Sequence, residues 1–196
     1  FSVTLGDLWR FCLTLPAIAW AVALFAAFEA MILTLLPVYC LQQGITAEIA
    51  LAMVSAVVVG DALLQLPIGA LADYLPRRTL FLSCALLLLA SSLAIPLLMQ
   101  TVLIWPVWVL FGASAGGLFT LSLILIGERY RDDALVRANA HIAQLWGIGC
   151  LIGPLVAGAG SQWISGHALP WLMAAGALGL VVLLLRQGAF GAAQPA

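Results

Sequence analysis

An all-α membrane protein with six transmembrane helices is the fold class this sequence predicts, and three observations carry it. Only 8% of the 196 residues are charged and 65% are hydrophobic, whereas soluble domains carry about 25% charged and 45–50% apolar residues. So few charges cannot cover a water-facing surface, which makes lipid the solvent of most of the chain. A window of about 20 residues, the helix length that crosses a hydrocarbon core, finds six apolar stretches. Finally, every basic side chain other than histidine is an arginine, and all seven fall on one side of the membrane once the six stretches are threaded.

In chain order, residues 1–15 read as an interfacial, cytoplasmic lead-in. The spans lie at roughly 16–40, 47–72, 79–99, 103–126, 134–160 and 168–186, and 187–196 form a cytoplasmic tail. Arg10 precedes the first span, Arg77 and Arg78 sit between the second and third, Arg129, Arg131 and Arg137 lie around the start of the fifth, and Arg186 closes the sixth. The opposite connections carry no arginine, so the positive-inside rule places both termini in the cytoplasm. A missed or invented span would scatter the arginines over both sides. Pro37, Pro67, Pro96, Pro106 and Pro154 fall inside or near the ends of spans, where membrane helices tolerate them as kinks. The chain starts at Phe1 rather than Met and has no short basic-then-apolar leader, so further sequence is expected upstream.

The net charge of −1 supplies no basic field for nucleic acid. Cys12, Cys40, Cys84 and Cys150 lie far apart, with no CxxC and no Cys/His cluster, and read as packing residues. No metal site and no cofactor are expected.

Spans three and six contain no charge before Arg186 and read as lipid-facing, while spans one, two, four and five hold the acids, amides and glycines. Two decorated helices and one plain helix, twice over, suggest a three-plus-three internal repeat of the kind found in secondary transporters. Glu29 lies about 18 Å from the start of span one near Ala17, and Asp61 about 18 Å from Asp73 at the end of span two, so both carboxyls sit near the midplane. An acid there costs about 2.5–3.5 kcal/mol on insertion scales and should face a bundle interior or cavity. Glu29 and Asp61 are candidate proton or substrate sites, or else helix-packing groups; Gln65 shares the face of Asp61 one turn on. An aspartyl intramembrane protease would need a YD and a GxGD pair, and the chain has neither, so no enzyme is expected.

In span four, Gly112 and Gly116, and Ala113 and Gly117, stand four apart, a spacing that lets helix backbones approach closely. Span five repeats this with Gly149, Gly153 and Ala157, with Pro154 alongside. Such helices pack tightly and can also act as pivots. Asn139, His141 and Gln144 occupy the cytoplasmic half of span five; Asn139 and Gln144 are further polar candidates for substrate or proton, and the histidine lacks the second ligand a metal needs.

The turn after span two reads GALADYLPRRT from Gly69 to Thr79. It resembles the signature loop of the major facilitator superfamily, in which a glycine precedes an aspartate by four residues and basic residues follow. Gly69, Asp73, Arg77 and Arg78 match, while Tyr74 and Pro76 depart from the usual residues. GCLIGPLVAG in span five resembles the superfamily's glycine-proline helix motif, and IGERYRDDALVRANA is similar to the cytoplasmic connection of a bacterial branch called YcaD-like. The order of these motifs resembles the carboxy-terminal six-helix half of such a transporter. The resemblance implies half of the superfamily fold with a three-plus-three inverted repeat, and alternating access around a cavity shared with a second six-helix half. It further implies a small-molecule substrate, a multi-pass position in the cell inner membrane, and a cytoplasmic gate built on Asp73, Arg77 and Arg78, which Glu128 and Arg129 would extend. Two other readings stand beside transport: a transporter-like module that acts as anchor, receptor or assembly partner, and a half-size protein working as a dimer.

Overall fold

The computed structural model describes residues 4–163 and 166–186; the expected tail at 187–196 lies outside them. Among the described residues there are eight α-helices and no strand: α1 (Leu5–Thr14), α2 (Pro16–Thr34), α3 (Leu36–Gln42), α4 (Ala47–Tyr74), α5 (Arg77–Leu98), α6 (Ile104–Arg129), α7 (Asp132–Trp163) and α8 (Ala168–Leu185). Six of these, α2 and α4 to α8, are long and apolar enough to cross a membrane.

The lead-in forms a helix of its own. Thr4 Oγ1 accepts a hydrogen bond from the Asp7 backbone N–H at 3.3 Å, and the Asp7 carboxylate accepts one from the Thr4 N–H at 3.2 Å. This reciprocal pair satisfies two of the donors that every helix start leaves open. Those bonds favour ionised Asp7 and hold its carboxyl below the usual value of 3.8. Leu8 and Phe11 turn inward while Leu5, Trp9 and Leu13 stay exposed. Leu8 and Phe11 join Leu15, Ile18, Val22, Ile126, Ile142 and Leu145 in a small apolar cluster that ties α1 to α2, α6 and α7.

The first span is broken. Helix α2 ends at Thr34 and α3 begins at Leu36, with Leu35 between them in a loosened turn (φ −106°, ψ −23°). Pro37 has no N–H to give to the Leu33 carbonyl, and the Thr34 hydroxyl bonds back to the Ala30 carbonyl at 2.6 Å. Pro67, Pro96 and Pro154 instead lie inside continuous helices. Pro106 sits in the first turn of α6, where a missing N–H costs nothing. Gly44 makes the turn between α3 and α4 at φ +80°, a conformation that favours glycine.

Helices α2 and α6 form the centre. Helix α4 lies along α6, α7 lies along α2, and α5 packs on both α6 and α8. Exchanging spans one with four, two with five and three with six carries the α4–α6 pair onto the α7–α2 pair and leaves α5–α8 and α2–α6 as pairs with themselves, which is the pairing of a three-plus-three repeat. This is the arrangement that the resemblance implies for one six-helix half.

Within this chain 44% and 50% of the apolar windows of α5 and α8 are buried, against 22% for α4 and 28% for α7. Helices α5 and α8 bury faces on each other, with Leu88 and Leu180 fully enclosed. The serine hydroxyls inside the spans bond back to carbonyls of their own helix, as Ser92 does to Leu88 and Ser122 to Leu118.

Candidate functional site

Two close seams hold the bundle together and set the rotation of its polar side chains. In the α4–α6 seam, a Cβ added at Gly60 would overlap the Val109 carbonyl and one at Gly112 the Val57 carbonyl. In the α2–α7 seam, a Cβ at Gly149 would overlap the Ala23 carbonyl, and one at Gly153 would come within 2.7 Å of the Ala27 Cα. The backbones touch because these positions carry no side chain, the same device at pseudo-equivalent places in both triplets. Gly117 faces elsewhere, toward Ile68 and Cys84. Pro154 is half-buried within α7.

The α4–α6 seam carries a carboxyl. The Asp61 side chain lies against Gly116, where any Cβ would collide with its Oδ1. Gln65, one turn along α4, donates from Nε2 to Asp61 Oδ1 at 3.1 Å. Glu29 on α2 is half-buried and lies within electrostatic reach of Asp61 on α4. The Cys150 thiol of α7 donates to the Ala26 carbonyl at 3.5 Å and is also within reach of Glu29. Asp61 and Gln65 therefore form one hydrogen-bonded pair on α4, with the Glu29 carboxyl of α2 within electrostatic reach of it. Two like charges so placed repel each other, and binding a proton or a cation at either relieves the other.

Asn139 and Gln144 do not join this site. Gln144 Oε1 lies 3.2 Å from His141 Nδ1, and Gln144 is six residues, about 9 Å, along α7 from Cys150. Asn139 is exposed and about 16 Å away by the same rise. His141 is buried at 8% exposure and stacks on Phe11 of α1 with ring centroids 5.2 Å apart, so it serves the docking of α1. No group of three metal-ligating side chains occurs among the described residues.

At the end of the bundle that bears the arginines, the turn between α4 and α5 divides its two guanidiniums. Arg77 pairs with Glu128 of α6, Nη2 to Oε1 at 2.5 Å and Nε to Oε2 at 3.4 Å. Asp73 is exposed and within electrostatic reach of Arg77. Arg78 turns away and donates from Nε and Nη2 to the Leu184 carbonyl, at 3.2 and 2.7 Å. That carbonyl is one of the last of α8, where a cation meets the negative end of the helix. Arg129 sits half-buried in the last turn of α6. Gly69 has open space where its Cβ would be.

The family model described as Major Facilitator Superfamily matches residues 6–195. The chain belongs to this superfamily. A comparison with curated proteins finds no match.

Membership of a transporter family makes the chain a multi-pass membrane module of transporter type. Of the superfamily loop residues, the structure joins Asp73, Arg77 and Glu128 in one cluster at the mouth of the bundle and separates Arg78 from them. Of the midplane candidates it joins Asp61 and Gln65 by a hydrogen bond, with Glu29 within electrostatic reach. Cys150, read as a packing residue, sits beside the seam glycine Gly149 and bonds across the seam to the Ala26 carbonyl. The bond from Arg78 to Leu184 has no sequence signal, because its acceptor is a backbone carbonyl.

Proposed function

We propose that this superfamily member is the carboxy-terminal half of a secondary active transporter that moves a small organic solute by alternating access, with proton coupling at Glu29 and Asp61. Both termini then face the cytoplasm of a bacterial inner membrane, and a second six-helix half, in the same polypeptide or another chain, completes the cavity. The connection after span four, IGERYRDDALVRANA, and FEA in span one support the YcaD-like branch. One observation carries the reading: two acids from different spans, 32 positions apart in sequence, are both held away from full exposure, with Glu29 near enough to feel the charge of Asp61. Each is costly in lipid. Protonating one removes a charge and the repulsion together, which gives the cavity two electrostatic states that alternating access can exploit.

The test uses the complete transporter in proteoliposomes, loaded with a pH-sensitive dye and offered a panel of small organic solutes. Solute-dependent proton flux is expected in the native protein and a loss of at least tenfold in Glu29→Gln, with solute exchange retained. Unchanged proton flux in Glu29→Gln removes this carboxyl from the mechanism. A correctly folded protein that moves no solute of the panel supports a non-transporting module instead.

A further inference from the structure

Two adjoining hollows run along the outside of the bundle. The first, about 510 Å³, lies between α2, α7 and α8, and its walls are apolar. It exists because small residues, among them Ala27, Gly149, Gly153 and Gly176, leave a trough beside the α2–α7 seam. The second, about 480 Å³, continues past Trp20 and Ala175, which line both, to Gly179 and Arg186. Trp20 is held as a fixed wall by its indole N–H, which donates to the Gly176 carbonyl at 2.9 Å. From Leu172 in the first hollow to Arg186 at the end of the second is fourteen residues of α8, about 21 Å. That exceeds half of a hydrocarbon core about 30 Å thick. Arg186 is exposed, and its guanidinium has no ion-pair partner among the described residues.

A long apolar trough that opens at one end on an unpaired cation has the shape and charge of one particular ligand. We propose that it binds an acyl chain of an anionic phospholipid from the leaflet on the arginine-bearing side, with the headgroup phosphate at Arg186. A guanidinium meets phosphate with paired N–H donors, and the trough takes the chain at the cost of little ordering because its walls are already formed.

The complete protein in detergent is titrated with phosphatidylglycerol or phosphatidylcholine, and bound lipids are counted by native mass spectrometry. Phosphatidylglycerol is expected to bind more tightly, and Arg186→Gln to reduce that preference by about fivefold, the effect of one basic residue near an anionic lipid. Gly179→Leu should weaken both lipids, since its Cβ fits at ordinary contact with Trp20, 3.4 Å, while the rest of the side chain fills the trough. Gly179→Ala, with the same Cβ and no filling, should bind as the native protein does and so controls for folding. A photo-crosslinking residue introduced at Ala175 should capture lipid. Equal affinity for the two lipids in the native protein, no response to Arg186→Gln, or capture of polypeptide from Ala175 would each overturn the proposal.

Discussion

The α2–α7 and α4–α6 seams use the same device with different contents. In the first, glycines of α7 meet alanines of α2 and the contact is backbone on backbone. In the second, glycines of α6 meet α4, and one of the groups pressed into the gap is the Asp61 carboxyl. An inverted repeat duplicates the means of approach, and the two copies have then diverged in what the approach encloses. The α2–α7 seam is a packing solution alone. The α4–α6 seam fixes the rotation of α4, and with it the direction in which an acid points, so that packing and chemistry share the same glycines.

That contrast can be broken at Gly112. Alanine there drives a Cβ into the Val57 carbonyl, a backbone atom that cannot swing aside, and should cost about 1–3 kcal/mol. Thermal unfolding of the complete protein in detergent measures it, and an unchanged midpoint would mean the seam is looser than its geometry. Gly116→Ala sharpens the contrast, because its obstacle is the Asp61 side chain. Combined with Asp61→Ala, most of its cost should vanish, a coupling of about 0.5–3 kcal/mol. Gly149→Ala, opposed by the Ala23 carbonyl, should gain nothing from Asp61→Ala; equal rescue of both would erase the distinction between the seams.

A smaller effect is expected at the turn after α4. Arg78→Gln gives up a charged donor to the end of α8 and should lower the thermal midpoint by about 2–4 °C for a chain of this length. Arg77→Gln loses only an exposed ion pair with Glu128, a kind of contact that contributes little to stability. A reversal of that order would show Arg77 to be the structural member of the two.

The smallest effect concerns α1, which neither seam touches. Asp7 has its carboxyl held below its ordinary value by the Thr4 hydroxyl and backbone N–H. The capping interaction is therefore complete above pH 3.8 and is lost as the pH falls through the lower, folded value. Hydrogen exchange in α1 should rise below pH 3.8 in the native protein, whereas Asp7→Asn should exchange at one faster, pH-independent level once intrinsic rates are divided out. Protection that stays constant into acid would remove the cap from the account.

The six spans were legible because transfer of side chains into lipid acts residue by residue, and so was the sidedness of the arginines. The glycine spacing announced the seams but not their partners: that Gly149 meets α2 and Gly112 meets α4 depends on which helices are neighbours, a property of the whole bundle. The meeting of Glu29 and Asp61 was legible in depth and not in direction, since rise along a helix is fixed while rotation about it follows from packing. The helix at Leu5–Thr14 was signalled by the spacing of Thr4 and Asp7, which was passed over in a segment too short to span. The plain character of α5 and α8 did not reveal that they pack on each other, because hydropathy does not separate a lipid-facing surface from one buried against another helix.

The bond from Arg78 to Leu184 also constrains how the protein is made. Its two ends are separated by 106 residues, so while the ribosome is still producing spans four and five the acceptor does not exist. Throughout that interval the guanidinium stays hydrated at the membrane surface and holds the turn after α4 on its own side. Only when α8 has been threaded can its last carbonyls reach back to it. The bond therefore reports completed insertion: a nascent chain arrested before Leu184 would have every earlier span in place and still lack this closure.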